Sequence, residues 1–128
     1  MTVPAIHEDD VVELGLPGRM MRWLVANDAI KANNCSVCVI RVAAGEKVTP
    51  AHSHPNGEEV IYIMTGSGRV LVAGEVRKVS AGTAVLFPQG AIHMLHNTGS
   101  EEMKVVCFFA PATGLDNYRL HEGVDFPD

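Results

Sequence analysis

The sequence predicts an all-β protein, an antiparallel sandwich or barrel, on three observations. Val- and Ile-rich runs of strand length recur along the chain. Twelve Gly and seven Pro fall between those runs as punctuation. No segment sustains a helical apolar period, although the stretch before Asn33 has room for a short turn. In order, strands are expected over residues 20–25, 35–42, 59–64, 69–73, 75–79, 83–87, 91–97 and 103–109. The breaks hold Gly45, Pro55-Asn56-Gly57, Gly66-Ser67-Gly68, Gly74, Ala81-Gly82, Pro88-Gln89-Gly90 and Thr98-Gly99-Ser100. Gly supplies positive φ and Pro fixes φ, so each break is a turn with a mechanism.

Composition narrows the function classes. At 128 residues and 13.8 kDa the chain has room for one domain with its own core. A formal net charge of −5 argues against non-specific nucleic-acid binding. The apolar runs are strand-sized, residues 105–110 among the longest, whereas a membrane helix needs roughly 20 apolar residues. The first ten residues carry His7, Glu8, Asp9 and Asp10 where a signal peptide has a basic start and an apolar run, so a cytoplasmic location is expected. Three cysteines without disulfide-scaffold spacing fit a reducing compartment.

Four of the six histidines fall in two clusters. In His52-Ser53-His54 the rings are two residues apart; on an extended backbone they share a face, with Cα atoms roughly 7 Å apart. After the turn at Pro55-Asn56-Gly57, Glu59 leads an alternation that places Ile61 and Ile63 on its side and Val60, Tyr62 and Met64 on the other. A carboxylate on an apolar strand face is costly to bury unless something pairs with it. A divalent cation held by His52 and His54 is one such partner. Further on, Pro88 and Gly90 shape a corner, and His93 follows it. Three imidazoles and one carboxylate suit Fe(II), Mn(II), Ni(II), Cu(II) or Zn(II), and an octahedral ion would keep two positions open.

These residues resemble the two motifs of the cupin superfamily in its small single-domain form. The first, G-x5-H-x-H-x3,4-E-x6-G, is met by Gly45, His52, His54, Glu59 and Gly66, with one extra residue after Gly45. The second, G-x5-P-x-G-x2-H-x3-N, is met by Gly82, Pro88, Gly90, His93 and Asn97 without departure. Only residues 67–81 separate them, and together they span a little under half of the chain. The resemblance implies an antiparallel jelly-roll β-barrel in which His52, His54, Glu59 and His93 converge on one divalent transition metal per chain, with Fe or Mn favoured and Ni, Zn or Cu as alternatives. It also implies a homodimer, commonly through exchanged N-terminal strands. The expected layout is one cupin domain over 1–128, with a core over about 34–110, N-terminal strands within 1–33 and a tail over 111–128.

Other residues read as structural. Glu58 is a solvated edge residue, and His96 falls on the face opposite His93. His7 and His121 sit near the termini as surface groups. Cys35 and Cys38, three apart on a strand, point to opposite faces and read as buried small hydrophobes rather than a redox pair. Met103, Val105, Cys107 and Phe109 are expected inside. Trp23, Tyr62 and Phe108 are expected in a dimer face or an outer layer. Gly114, Tyr118 and Phe126 are expected to add edge strands or cap the barrel.

The expected pocket is apolar, lined by Ile61, Ile63, Val105, Phe109, Ile40 and Val42, with no obvious acid or base besides the ligands; Arg41 is the only nearby cation, and its side of the strand is open. That leaves the chemistry to the metal. The leading expectation is a metal-dependent dioxygenase acting on a small organic chelator. The alternatives are a metal-dependent isomerase, lyase or decarboxylase, and a non-catalytic module that binds a small ligand.

Overall fold

The computed structural model describes residues 2–128. Eleven strands form two antiparallel sheets. They are β1 (Leu14–Leu16), β2 (Arg19–Val25), β3 (Ser36–Val42), β4 (Ala51–Ser53), β5 (Glu58–Thr65), β6 (Ser67–Val72), β7 (Glu75–Ser80), β8 (Ala84–Phe87), β9 (His93–Asn97), β10 (Met103–Ala110) and β11 (Arg119–His121). One sheet runs β1-β2-β3-β10-β5-β8 and the other β11-β4-β9-β6-β7. The sheets pack face to face as a jelly roll without closing into a hydrogen-bonded barrel, so closure of the core is by side chains. Two 3-10 turns, Glu8–Asp10 and Leu115–Asn117, are the helical pieces among the described residues, and no helix is long and apolar enough to cross a membrane.

All eight expected strands form, with ends displaced by one or two residues. Their alternation sorts the side chains. Glu59, Ile61 and Ile63 of β5 are buried, while Tyr62 and Met64 are exposed. On β10, Met103, Val105, Cys107 and Phe109 face inward and join Ile40, Val42, Val70 and Leu95 in the main core. The second sheet has an outer cluster of its own, in which Ala51, Leu71 and Met94 are covered by Phe126 of the C-terminal tail. The tail is thus anchored twice, by β11 pairing with β4 and by this apolar plug.

Asn97, the last residue of the second motif, is fully buried and bridges loops. Its Nδ2 donates to Val42 O at 2.9 Å and Glu101 O at 2.8 Å, and its Oδ1 accepts from Gly99 N at 2.9 Å. Unpaired buried amides are expensive, so an apolar replacement here would strand several groups at once.

Two expectations need correcting, for Trp23 and Cys35, and the structure gives the side taken by Arg41, which the sequence leaves open. Trp23 is not in an outer layer: it packs on the core with its ring 5.5 Å from that of Phe109, because its cross-strand partner is the inward Cys38. Tyr62 and Phe108 do lie on the outer face. Cys35 is only half-buried, since it precedes β3 rather than lying in it, whereas Cys38 is buried. Arg41 points away from the pocket and is bound by Glu13 at 2.6 Å and Glu102 at 2.8 Å.

Candidate metal centre

Each of the four predicted ligands is delivered by local structure. On β4, alternation turns Ala51 and Ser53 to the outer cluster and His52 to the interior, with His54 following on the same side. The outward Ser53 is held by His121 of β11, its Oγ 2.9 Å from Nε2. The corner before β9 needs a left-handed residue, and Gly90 supplies it at φ 77°. That corner places His93 directly opposite His52, its partner in the β4–β9 pairing. Glu59 enters from the other sheet, one residue into β5.

His52, His54, Glu59 and His93 are all buried, and one potential ligand atom from each lies within 4.8 Å of the others. Glu59 Oε1 is 2.9 Å from His54 Nε2 and 3.2 Å from His93 Nε2. Donor atoms held at about 2.1 Å from one ion and at right angles to each other are about 3 Å apart, so these spacings match edges of a coordination polyhedron. Two imidazoles are oriented through their outer nitrogens: His52 Nδ1 faces Pro50 O at 3.2 Å and His93 Nδ1 faces Ala91 O at 3.0 Å. A backbone carbonyl on Nδ1 fixes the tautomer that leaves Nε2 as the inward lone pair. His54 Nδ1 has no such partner.

Aromatic packing holds the rings. Phe87 stacks on His93 at 3.9 Å, Tyr118 stacks on His52 at 4.8 Å, and Phe109 meets His54 edge to face at 5.1 Å. His93 Nε2 is buried and lacks a hydrogen-bond partner, because its approach to Glu59 is close without being aligned. A buried orphan nitrogen aimed at a carboxylate and two other imidazoles fits a cation.

The titration behaviour agrees. Burial, with His93 close by, pushes the His52 imidazole down to about 3. Burial pushes the Glu59 carboxyl up, but contacts with His54 and His93 outweigh it and hold the group at about 2. At neutral pH the site therefore presents a carboxylate and an unprotonated His52, the forms that bind a metal.

A pocket of about 360 Å³, its open mouth included, adjoins the cluster. Ile40, Ile61, Phe87 and Leu95 form apolar walls, and Arg19, Cys107 and Tyr118 add polar groups. The expectation was of no obvious acid or base besides the ligands and of Arg41 as the nearby cation; Arg19 is the cation in the lining, and Tyr118 adds a phenol. Tyr118 was expected as part of a tail that caps or extends the sheet; it does more, covering His52 and His54 directly. Burial drives its phenol well above the usual range. Cys107 faces Cys38 across the β3–β10 pair, and its pKa is raised well above normal by a hydrogen bond with the free Cys38 thiol and by burial. It therefore stays protonated and is a weak nucleophile. Arg19 had no sequence signal in a reading that started the strand at Met20. Starting β2 one residue earlier puts Arg19 on the same face as Met21.

His96 lies on the outer face of β9, accepting from Arg69 Nε at 3.0 Å beneath Phe126. Glu58 is exposed. Both stand apart from the cluster.

Known proteins place this geometry in context. Over 105 residues the chain is 29% identical to the uncharacterized protein MJ1618 of Methanocaldococcus jannaschii, covering 82% of this chain and 83% of that one. It is 30% identical to the tetracenomycin polyketide synthase protein TcmJ of Streptomyces glaucescens, covering 73% of this chain and 62% of the relative. In fold it is similar to the polyketide cyclase RemF from Streptomyces resistomycificus, with a TM-score of 0.75, 22% identity, and coverage of 98% and 90% of the two chains. The Cupin_2 family, described as the cupin domain, matches residues 38–109, which include both motifs and all four ligand candidates, so the chain belongs to the cupin family.

Proposed function

We propose that this cupin is a metal-dependent enzyme that converts a small, oxygen-rich substrate by polarising its carbonyl or enol oxygens. The carrying observation is the buried His52-His54-Glu59-His93 cluster at the end of an apolar pocket that also contains Arg19 and Tyr118. The four residues hold the ion, and their neutral imidazoles and single carboxylate leave it with residual positive charge. A divalent metal bound there supplies Lewis acidity, drawing electron density from substrate oxygens.

The chain's own residues provide the rest. The apolar walls exclude bulk water, which strengthens every charge interaction inside. Phe87, Phe109 and Tyr118 fix the imidazole planes, so the donors need little rearrangement during reaction. Tyr118 presents a phenol that remains protonated, a donor toward substrate oxygen. TcmJ and RemF are named for work on polyketides, whose alternating carbonyls chelate metals through enol forms, and this supports a substrate of that kind of chemistry.

A second reading is oxygen-dependent cleavage of a chelating substrate. Its support is the donor set itself, which leaves positions open for more than one oxygen ligand. The expectation of a dioxygenase rested on a complete four-ligand set with open positions and few other catalytic groups. Arg19 and Tyr118 shift the balance toward the non-oxidative reading.

The deciding experiment is metal analysis by plasma mass spectrometry on untagged protein. Turnover of a panel of diketones and dihydroxy-aromatics, with and without oxygen, then follows. Metal-dependent product formation without oxygen uptake supports the proposal. Uptake matched to product selects the second reading. Metal-loaded protein that binds but never turns over would leave a binding module.

A further inference from the structure

Arg19 is the first residue of β2, and the turn before it is tightly constrained. Gly18 has φ 78°, and a Cβ there would lie 1.5 Å from Lys47 O, so only glycine lets the β1–β2 turn sit against this strand of backbone. From that turn, alternation sends Met20 and Arg22 outward and Arg19 and Met21 inward. Arg19 thus shares one pocket with His52, Glu59, His93 and Tyr118.

Its guanidinium is held by one nitrogen only. Nη1 donates to Pro17 O at 3.0 Å and to Thr49 O at 3.4 Å. Among the described residues Nε and Nη2 have no acceptor. The other half-buried cations, Arg22, Arg41, Lys47, Arg69 and Lys104, all have a carboxylate within 4.0 Å. Arg19 alone of this group has none, although it lines a pocket with apolar walls. A partly desolvated cation without a counter-charge costs free energy, and the chain has carboxylates to spare at a net charge of −5. Nε and Nη2 together form the flat edge that a carboxylate meets with two parallel hydrogen bonds. With a divalent ion on the four ligands, Glu59 offsets one charge and Arg19 adds one, which leaves the pocket with about two positive charges.

We infer that Arg19 is the anion anchor of this pocket and that the substrate is a small carboxylate-bearing chelator, its carboxylate on Arg19 and its other oxygens toward the histidine–glutamate cluster. The inference rests on the proposed function and narrows its substrate class. Arg19 thereby selects among chelators, while Pro17 O and Thr49 O position its head group.

The test uses full-length protein loaded with Zn(II), which does not turn over by redox chemistry. Catechol and 3,4-dihydroxybenzoate are titrated by calorimetry into the wild type, Arg19→Gln and Arg19→Lys. Wild type should prefer the carboxylate-bearing probe by roughly 10- to 100-fold, as expected for hydrogen bonds to a charged group. Arg19→Gln should abolish the preference while catechol affinity stays within about twofold, and Arg19→Lys should restore part of it, as a point charge without the fork does. A preference that survives in Arg19→Gln overturns the inference, and so does equal weakening of both probes, which would mark a structural role. Wild-type protein that takes up no Zn(II), or takes it up and binds neither probe, breaks the proposed function itself, and this inference with it.

Discussion

The two faces of the six-stranded sheet treat charge in opposite ways. On the outer face every half-buried cation has its acid: Arg41 binds Glu13 and Glu102, Arg22 approaches Asp9 and Glu13, and Lys104 binds Glu8. These pairs strap the N-terminal segment onto β2, β3 and β10 in contact with water. On the inner face the charges are mismatched. Glu59 is surrounded by imidazoles rather than by a cation, and Arg19 has no carboxylate. A face that satisfies its own charges has a structural task, whereas one that leaves them open is built for something that brings the missing charges with it.

The largest effects should come from changing sides on a single strand. Phe109 and Phe108 are neighbours on β10, 1% and 41% exposed. Phe109→Ala removes a ring packed on Trp23 and His54 and should cost about 3–5 kcal/mol, against less than about 1 kcal/mol for Phe108→Ala. Urea denaturation of the two variants measures both. Equal costs would mean that the outer face is buried against something in solution.

Next in size is the effect on metal binding that the proposed function expects of the cluster. His93→Ala and Glu59→Gln each remove one donor from the cluster and should lower metal affinity by more than about 100-fold, beyond the range seen for outer-shell changes. His96→Ala, on the opposite face of β9, should leave it unchanged. Competition against a chelating dye reads all three. Retention of metal by His93→Ala would move the site elsewhere.

Acid sensitivity follows with a definite sign. In metal-free protein the His52 imidazole titrates at about 3 when folded and near 6.5 when unfolded, so the unfolded chain binds more protons in between. Stability is therefore fully present above pH 6.5 and falls as pH drops toward 3. Glu59, depressed from 4.5 to about 2, adds a loss of the same sign lower down. The carboxylates of Glu8 and Glu13 are also held low, by bonds to Lys104 and Arg41, and contribute only in that lower range. The interval from pH 6.5 to 4.5 thus reports the histidines, His52 together with His96, whose imidazole burial also pushes down. Denaturation midpoints that stay flat across it would contradict the burial of an unprotonated imidazole.

How much of this was legible in the sequence differs between the faces. The meeting of His52, His54, Glu59 and His93 was implied by the resemblance of their motifs to the cupin family, while strand alternation by itself gave the shared face of His52 and His54 and the side that Glu59 takes. The long strands were readable from their apolar runs between Gly and Pro breaks. The three-residue strands β1, β4 and β11 were not placed residue by residue, although strands within 1–33 and edge strands from the tail were expected, since such strands are too short to show a period and are held by their partners. Tyr118 and Arg19 reach the pocket from opposite ends of the chain, through pairings that local spacing does not encode. Cys38 and Cys107 likewise meet only because β3 and β10 share a register, while the conspicuous Cys35–Cys38 spacing came to nothing. The side of β3 taken by Arg41 stayed open in the sequence, and its contacts with Glu13 and Glu102 put it outside.

The smallest expected effect is the sharpest check on the contrast between faces. Arg41→Ala breaks contacts of 2.6 and 2.8 Å, yet the Arg41 and Glu102 side chains are 37% and 48% exposed, and only Glu13, at 18%, is more deeply set. Exposed pairs rarely exceed about 1 kcal/mol, and salt screens them. The variant should therefore lose less than about 1 kcal/mol, with the difference shrinking further in high salt. The fork geometry of Arg41 on Glu13 sets the upper end of that range, because two parallel hydrogen bonds resist screening better than a point contact. A salt-independent loss of several kcal/mol would show that the N-terminal strap is buried in the working protein. In that case the outer face would be an interior as well, and the contrast drawn from its paired charges would have to be redrawn around an interface.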